Sequence, residues 1–159
     1  MNLNSKNNWL RRSAVSAILS AAAISQLPSQ FQAYYWAPGV AFALLVVTAH
    51  SKKLELLAAV ALSYSAGYAS GDLLERFGTT PMRIGVVAIG SGLLALSLHW
   101  KGGLSEDRAR NLALLGTALA IPFFWFTDRS GGGAPTLPLW IAAFSVWQMP
   151  VAWYYLKES

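Results

Sequence analysis

Six stretches of this chain are apolar over a length that matches the hydrocarbon core of a bilayer, and nothing else in the sequence constrains the fold as tightly. A spanning helix needs about 20 mostly apolar residues at 1.5 Å rise per residue. Such runs are expected at 13–27, 31–50, 54–72, 84–100, 111–127 and 137–156. Only short termini and five loops remain, the longer loops being residues 73–83 and 101–110. No soluble domain fits there, so any activity must reside in the helices or at their rims.

The charge content makes the same point. Of the 159 residues, 12% are charged and 55% hydrophobic, whereas a soluble domain is about 25% charged. Too little polar surface is available to cover a globule in water, which excludes a soluble enzyme, a disordered chain and a conventional nucleic-acid binder. The net charge of +5 is a matter of membrane orientation, and nucleic acid is not an expected partner. Cysteine is absent, which removes disulfides, thiolate metal sites and Cys nucleophiles. The expected fold class is an all-α integral membrane protein, a single-domain bundle of six transmembrane helices.

Orientation follows from the Lys and Arg count on each side, because cytoplasmic loops carry the excess. With six spans and the N-terminus inside, Lys6, Arg11, Arg12, Lys52, Lys53, Lys101, Arg108, Arg110 and Lys157 fall on one side, against Arg76, Arg83 and Arg129 on the other. Nine against three predicts both termini in the cytoplasm of a bacterial-type inner membrane. Trp9, Trp100 and Trp153 then lie at inner ends and Trp36, Trp125 and Trp140 at outer ends, as interfacial belts require. The first run is short and follows Lys6, Arg11 and Arg12, so a cleaved signal peptide competes with a retained helix; the brief apolar core favours retention.

Close approach of helices in lipid relies on small residues spaced four apart. Ser63, Gly67 and Gly71 share that register in the third helix. Gly92 with Ala88 marks the fourth, where Gly85 and Gly90 form an offset pair, and Gly116 with Ala120 marks the fifth. These are expected to be packing positions, within the bundle or between protomers. Pro122 should kink the fifth helix near its outer third and free the carbonyl of Ala118, four residues before it.

An ionisable side chain inside the hydrocarbon core marks an ion path by default, and none falls well within a predicted span. Uncharged polar groups are the remaining interior candidates. Tyr64 and Tyr68 share a helix face, and Trp147 and Gln148 lie near the centre of the last span. A buried glutamine must find a partner, with the tyrosine hydroxyls as the obvious ones. Two readings stand open: an interhelical hydrogen bond that holds the bundle together, or a ligand pocket lined by aromatics.

The predicted outer rim gathers Asp72, Glu75, Arg76, Arg83, Asp128 and Arg129, either as balanced loop charges or as a site for a polar ligand. His50 and His99 end the second and fourth helices on the inner side. They suit the negative end of a helix dipole; an anionic lipid contact with Lys52 and Lys53, or a metal or haem held between the two imidazoles, are the sharper alternatives. No cofactor is expected. Catalytic constellations are missing, and Asp72 would be the acid if the chain were an enzyme.

Tyr34, Tyr35, Trp36, Ala37, Pro38, Gly39 and Val40, with the helices that follow, resemble two families over about residues 30–100. One is the membrane sensor domains that open signalling proteins; the other is the six-helix substrate-binding subunits of energy-coupling-factor vitamin transporters. The Trp-Pro-Gly spacing departs from the sensor pattern and no vitamin-specific signature is present, so no site residue is carried over. Three functions are therefore expected in turn: a non-enzymatic membrane module binding lipids or partner subunits, including copies of itself; a small-solute binding or transport component; and a membrane enzyme on a lipid or isoprenoid substrate.

Overall fold

A computed structural model describes residues 3–27, 33–49, 53–130 and 135–157. Its α-helices are α1 (Leu3–Gln26), α2 (Ala33–Leu45), α3 (Leu54–Ala69), α4 (Gly71–Leu74), α5 (Thr79–Trp100), α6 (Glu106–Ala118), α7 (Ala120–Thr127) and α8 (Leu137–Leu156). Single 3-10 turns cover Val47–Ala49, Glu75–Phe77 and Asp128–Ser130, and no strand occurs among the described residues.

Because α3 runs on through Ser70 into α4, and α6 through Leu119 into α7, the eight helices form six rods. Each rod matches one of the six apolar runs; α8 begins and ends at the expected residues, α3 begins at Leu54, and α5 and α7 end at Trp100 and Thr127 as expected. Three helix starts differ for an identifiable reason. Once a helix is nucleated, each further residue adds a hydrogen bond, so α1, α5 and α6 extend into polar sequence that an apolar-run criterion leaves out, starting at Leu3, Thr79 and Glu106. Ser105 is extended before α6, and Glu106 and Asp107 place negative charge in its first turn, where the helix dipole favours it.

The breaks within rods also have local causes. At Ser70 the hydroxyl donates to the Gly67 carbonyl at 2.6 Å, offering the backbone an alternative to the regular ladder. Near Leu119 the missing N–H of Pro122 leaves the Ala118 carbonyl without its helical donor, and α6 ends at that residue as expected. Gly78 (φ 94°) and Gly103 (φ 75°) make the turns into and out of α5 in a backbone region that side chains with a Cβ avoid.

The rods close into a ring. α1 packs on α2, α2 on α3, α3 on α5, α5 on α6, α7 on α8, and α8 returns to α1. Short connections make sequential neighbours antiparallel. One end is tied by Arg12, whose guanidinium donates to the Leu45 carbonyl at 3.2 Å, by Lys101 on Glu55 at 2.9 Å, and by Arg108 on the Tyr154 carbonyl at 2.8 Å. Arg83 and Asp128 pair at the opposite end. Phe42, Tyr64 and Trp147 meet in the middle, with ring centroids 5.2–6.4 Å apart in tilted and edge-on arrangements.

By length and composition, two stretches are able to cross a membrane: Thr79–Trp100, and Glu106–Thr127 taken as one rod. Only 28% of each apolar window is buried within the bundle. The other residues of each window are half-buried or exposed.

Candidate functional site

The break at Leu119 governs the interior. Below it, α6 packs closely on α5; above it, α7 leans on α8 instead. That transfer opens a cleft of about 60 Å³ between α5 and α7, with α3 and α8 forming its back wall. Val86, Val87 and Ser91 line it from α5, and Phe123 and Phe124 from α7. Tyr64 and Tyr68 come from α3, and Phe144 and Trp147 from α8.

Close packing below the cleft holds these walls in place. A Cβ on Gly67 would stand 2.9 Å from the Val86 carbonyl oxygen and 3.0 Å from the Gly90 Cα, so α3 and α5 approach through glycine backbone. At Gly116 a Cβ would fall 2.8 Å from the Ser91 Cβ and closer still to its hydroxyl. The Gly116 carbonyl accepts from the Trp147 indole N–H at 2.9 Å, which satisfies the indole and sets its ring plane along the cleft.

Two of the lining residues, Tyr64 and Ser91, carry buried hydroxyls that have no hydrogen-bond partner. Neither oxygen is open to the cleft, whose wall is apolar, and the Ser91 hydroxyl packs over Gly116 instead.

The structure divides the residues expected to form a pocket. Tyr64, Tyr68 and Trp147 line the cleft, but Gln148 does not. Adjacent helix residues point about 100° apart, so with Trp147 facing the cleft Gln148 faces α1, where its fully buried amide donates to the Ser20 hydroxyl at 3.1 Å. The expected tyrosine partner is therefore corrected to a serine. Ser13, Ser16 and Ser20 make a buried polar seam along that face of α1. Sequence reasoning missed Ser91, whose signal was a hydroxyl set between Gly90 and Gly92 in an otherwise apolar helix.

Within the bundle the small-residue stripe divides. Ser63 is buried with its hydroxyl on the Ala59 carbonyl at 2.7 Å, and Gly67 and Gly116 are close-contact positions. Gly71 has only ordinary contact with Val86, and a Cβ on Gly92 would meet nothing within 4 Å. Gly90, 3.5 Å from the Ser63 carbonyl by the same measure, is the α5 residue at the α3 interface. Gly92, two positions on, lies 200° around the helix and points away.

At the rim, the six charges do not converge. Arg83 pairs with Asp128 at 2.5 Å and lies over the Phe124 ring, bridging α5 to the end of α7 directly above the cleft. Arg129 lies over Trp125 at 3.6 Å and Arg76 over Phe77 at 4.9 Å, while Asp72 and Glu75 are exposed. His99 Nδ1 is 2.6 Å from the Leu104 carbonyl, so the ring holds the turn after α5 by donating its N–H. His50 and Lys52 lie outside the described residues. Among the described residues no group of three or more His, Cys, Asp or Glu comes together in a way that could hold a metal ion. No family model matches this chain, and neither does any curated protein or solved structure.

Proposed function

We propose that this chain is a six-span protein of a bacterial-type inner membrane, with Lys6 and Lys157 on the cytoplasmic side, and that it works without catalysis by binding lipid or a partner subunit within the bilayer. The observation that carries this reading is the apolar outer face. Leu62, Leu114 and Ile121 are 65%, 63% and 71% exposed near the middles of their rods. In water, many large apolar side chains exposed on several rods are an aggregation hazard; in lipid they are the expected exterior. Ion pairs at the two ends, Lys101 with Glu55 and Arg83 with Asp128, suit the headgroup regions.

The chain has no cysteine, so the topology is open to single-cysteine accessibility. With a membrane-impermeant maleimide on right-side-out vesicles, cysteines at Glu75 and Gly131 should react. Those at Asn8, Gly103 and Lys157 should react only after permeabilisation. Reaction of all five from one side would end the six-span reading. Native mass spectrometry of gently extracted protein then separates a partner subunit from a bound lipid by mass.

A solute-binding component is the second reading, supported by the aromatic-lined cleft between α5 and α7. An enzyme centred on Asp72 has less support, because Asp72 is exposed on α4 and the neighbouring rim charges do not gather around it.

A further inference from the structure

We infer that the cleft between α5 and α7 is a binding site for the end of one hydrocarbon chain of a bilayer lipid, which enters sideways with its terminal methyl first. This deepens the proposed function and rests on its membrane placement.

The chemistry of the wall selects a chain over a head. Among the described residues no Lys, Arg, Asp, Glu or His lines the cleft, and the hydroxyls of Tyr64 and Ser91 are closed off from it. A headgroup drawn in would leave its polar atoms without partners, which is strongly unfavourable. Water is no better served, because an apolar cavity stays dry. Six of the eleven lining residues are aromatic, so what the cleft offers is broad apolar contact. A hydrocarbon chain is as apolar in the bilayer as in the cleft, and its gain is therefore not hydrophobic. It is the dispersion contact that wall atoms facing a gap would otherwise forgo.

Shape selects the end of the chain. At the back of the cleft, Phe144 and Trp147 from α8 are 2% and 7% exposed. Beside them α3 closes on α5 so tightly that a Cβ on Gly67 would stand 3.0 Å from the Gly90 Cα. The cleft opens between α5 and α7, where Val86, Val87 and Phe124 are only half-buried. A chain running through needs two openings, whereas a chain end needs one. About 60 Å³ is roughly two waters' worth of space, room for about the last two or three carbons.

Depth agrees with shape. Gly90 and Trp147 lie at the centres of α5 (Thr79–Trp100) and α8 (Leu137–Leu156). In a hydrocarbon core about 30 Å thick those centres sit at the midplane, where the chain ends of the two leaflets meet. Both rods that bound the opening carry large exposed apolar side chains, Ile89 on α5 and Ile121 on α7, against which the rest of the chain can lie.

The test is photolabelling of the full chain in phosphatidylcholine nanodiscs doped with one of two phospholipid probes, identical except that the diazirine sits near the end of an acyl chain or halfway along it. Phe144 and Trp147 are the reporters, because both are buried and both line the cleft. Adducts there are normalised to those on exposed Leu62 and Leu114, which lie near the middles of their rods and so cancel the effect of depth. The chain-end probe should then label the reporters about tenfold more than the mid-chain probe. Val87→Trp fills the cleft and should abolish that excess, and Val87→Phe, a smaller intrusion, should reduce it. Equal labelling of the reporters by the two probes, or labelling by neither, overturns the site in the parent chain alone. An excess that survives Val87→Trp with the unfolding temperature intact overturns it as well. Leu62 and Leu114 report the membrane placement separately. No adducts there from either probe would overturn the proposed function itself, whereas adducts there without a chain-end excess at Phe144 and Trp147 would overturn only the cleft.

Discussion

The Trp147 indole N–H donates to the Gly116 carbonyl at 2.9 Å, across the interface between the last rod and the one before it. The bond exists because Gly116 has no side chain to hold the helices apart, and the same gap is occupied by Ser91 from α5. Three rods therefore meet at one glycine.

Gly116→Ala is expected to be among the most disruptive single-methyl changes in the chain. Its Cβ would fall 2.8 Å from the Ser91 Cβ, which cannot move without its backbone. Overpacking of this kind costs about 1–3 kcal/mol, read as a lower unfolding temperature in detergent. Ser91→Gly should rescue most of the loss, whereas Ser91→Ala should rescue less because its Cβ remains.

Two glycines that look alike in sequence should behave in opposite ways. At Gly67, Ala would press on the Val86 carbonyl at 2.9 Å and the Gly90 Cα at 3.0 Å, both backbone atoms, so Gly67→Ala should destabilise and Gly67→Leu should prevent assembly of α3 on α5. Gly92→Ala meets nothing and should be neutral, or stabilising by up to about 1 kcal/mol through helix propensity. A matched pair of thermal melts distinguishes them.

Gln148→Leu removes the amide that bonds Ser20, and the expected loss is about 0.6–1.7 kcal/mol, the range for hydrogen bonds between membrane helices. A double-mutant cycle with Ser20→Ala should show coupling of that order.

The Arg83 and Asp128 pair is partly exposed, with side-chain exposures of 33% and 51%. Solvent screening limits its contribution to about 0–1 kcal/mol, so Asp128→Asn should leave the melting temperature nearly unchanged. Added salt should likewise change the melting temperature of the parent chain little, as thermal melts in detergent would show.

The positions of the six rods were legible in the sequence, because a long apolar run needs no knowledge of its neighbours. The Pro122 break was legible too, since a missing N–H acts within its own helix. The two polar ends followed from counting charges. What the chain alone could not reveal was facing. In a soluble helix the buried stripe differs from the wet face in polarity, but α2, α3, α5, α7 and α8 are apolar nearly all round, so sequence periodicity did not distinguish core from exterior. Only packing decided that Gly90 rather than Gly92 meets α3, that Trp147 turns to the cleft while Gln148 turns to α1, and that Ser91 packs over Gly116. Those are relations between side chains on different rods, and each depends on a rotation about a helix axis that local sequence leaves free.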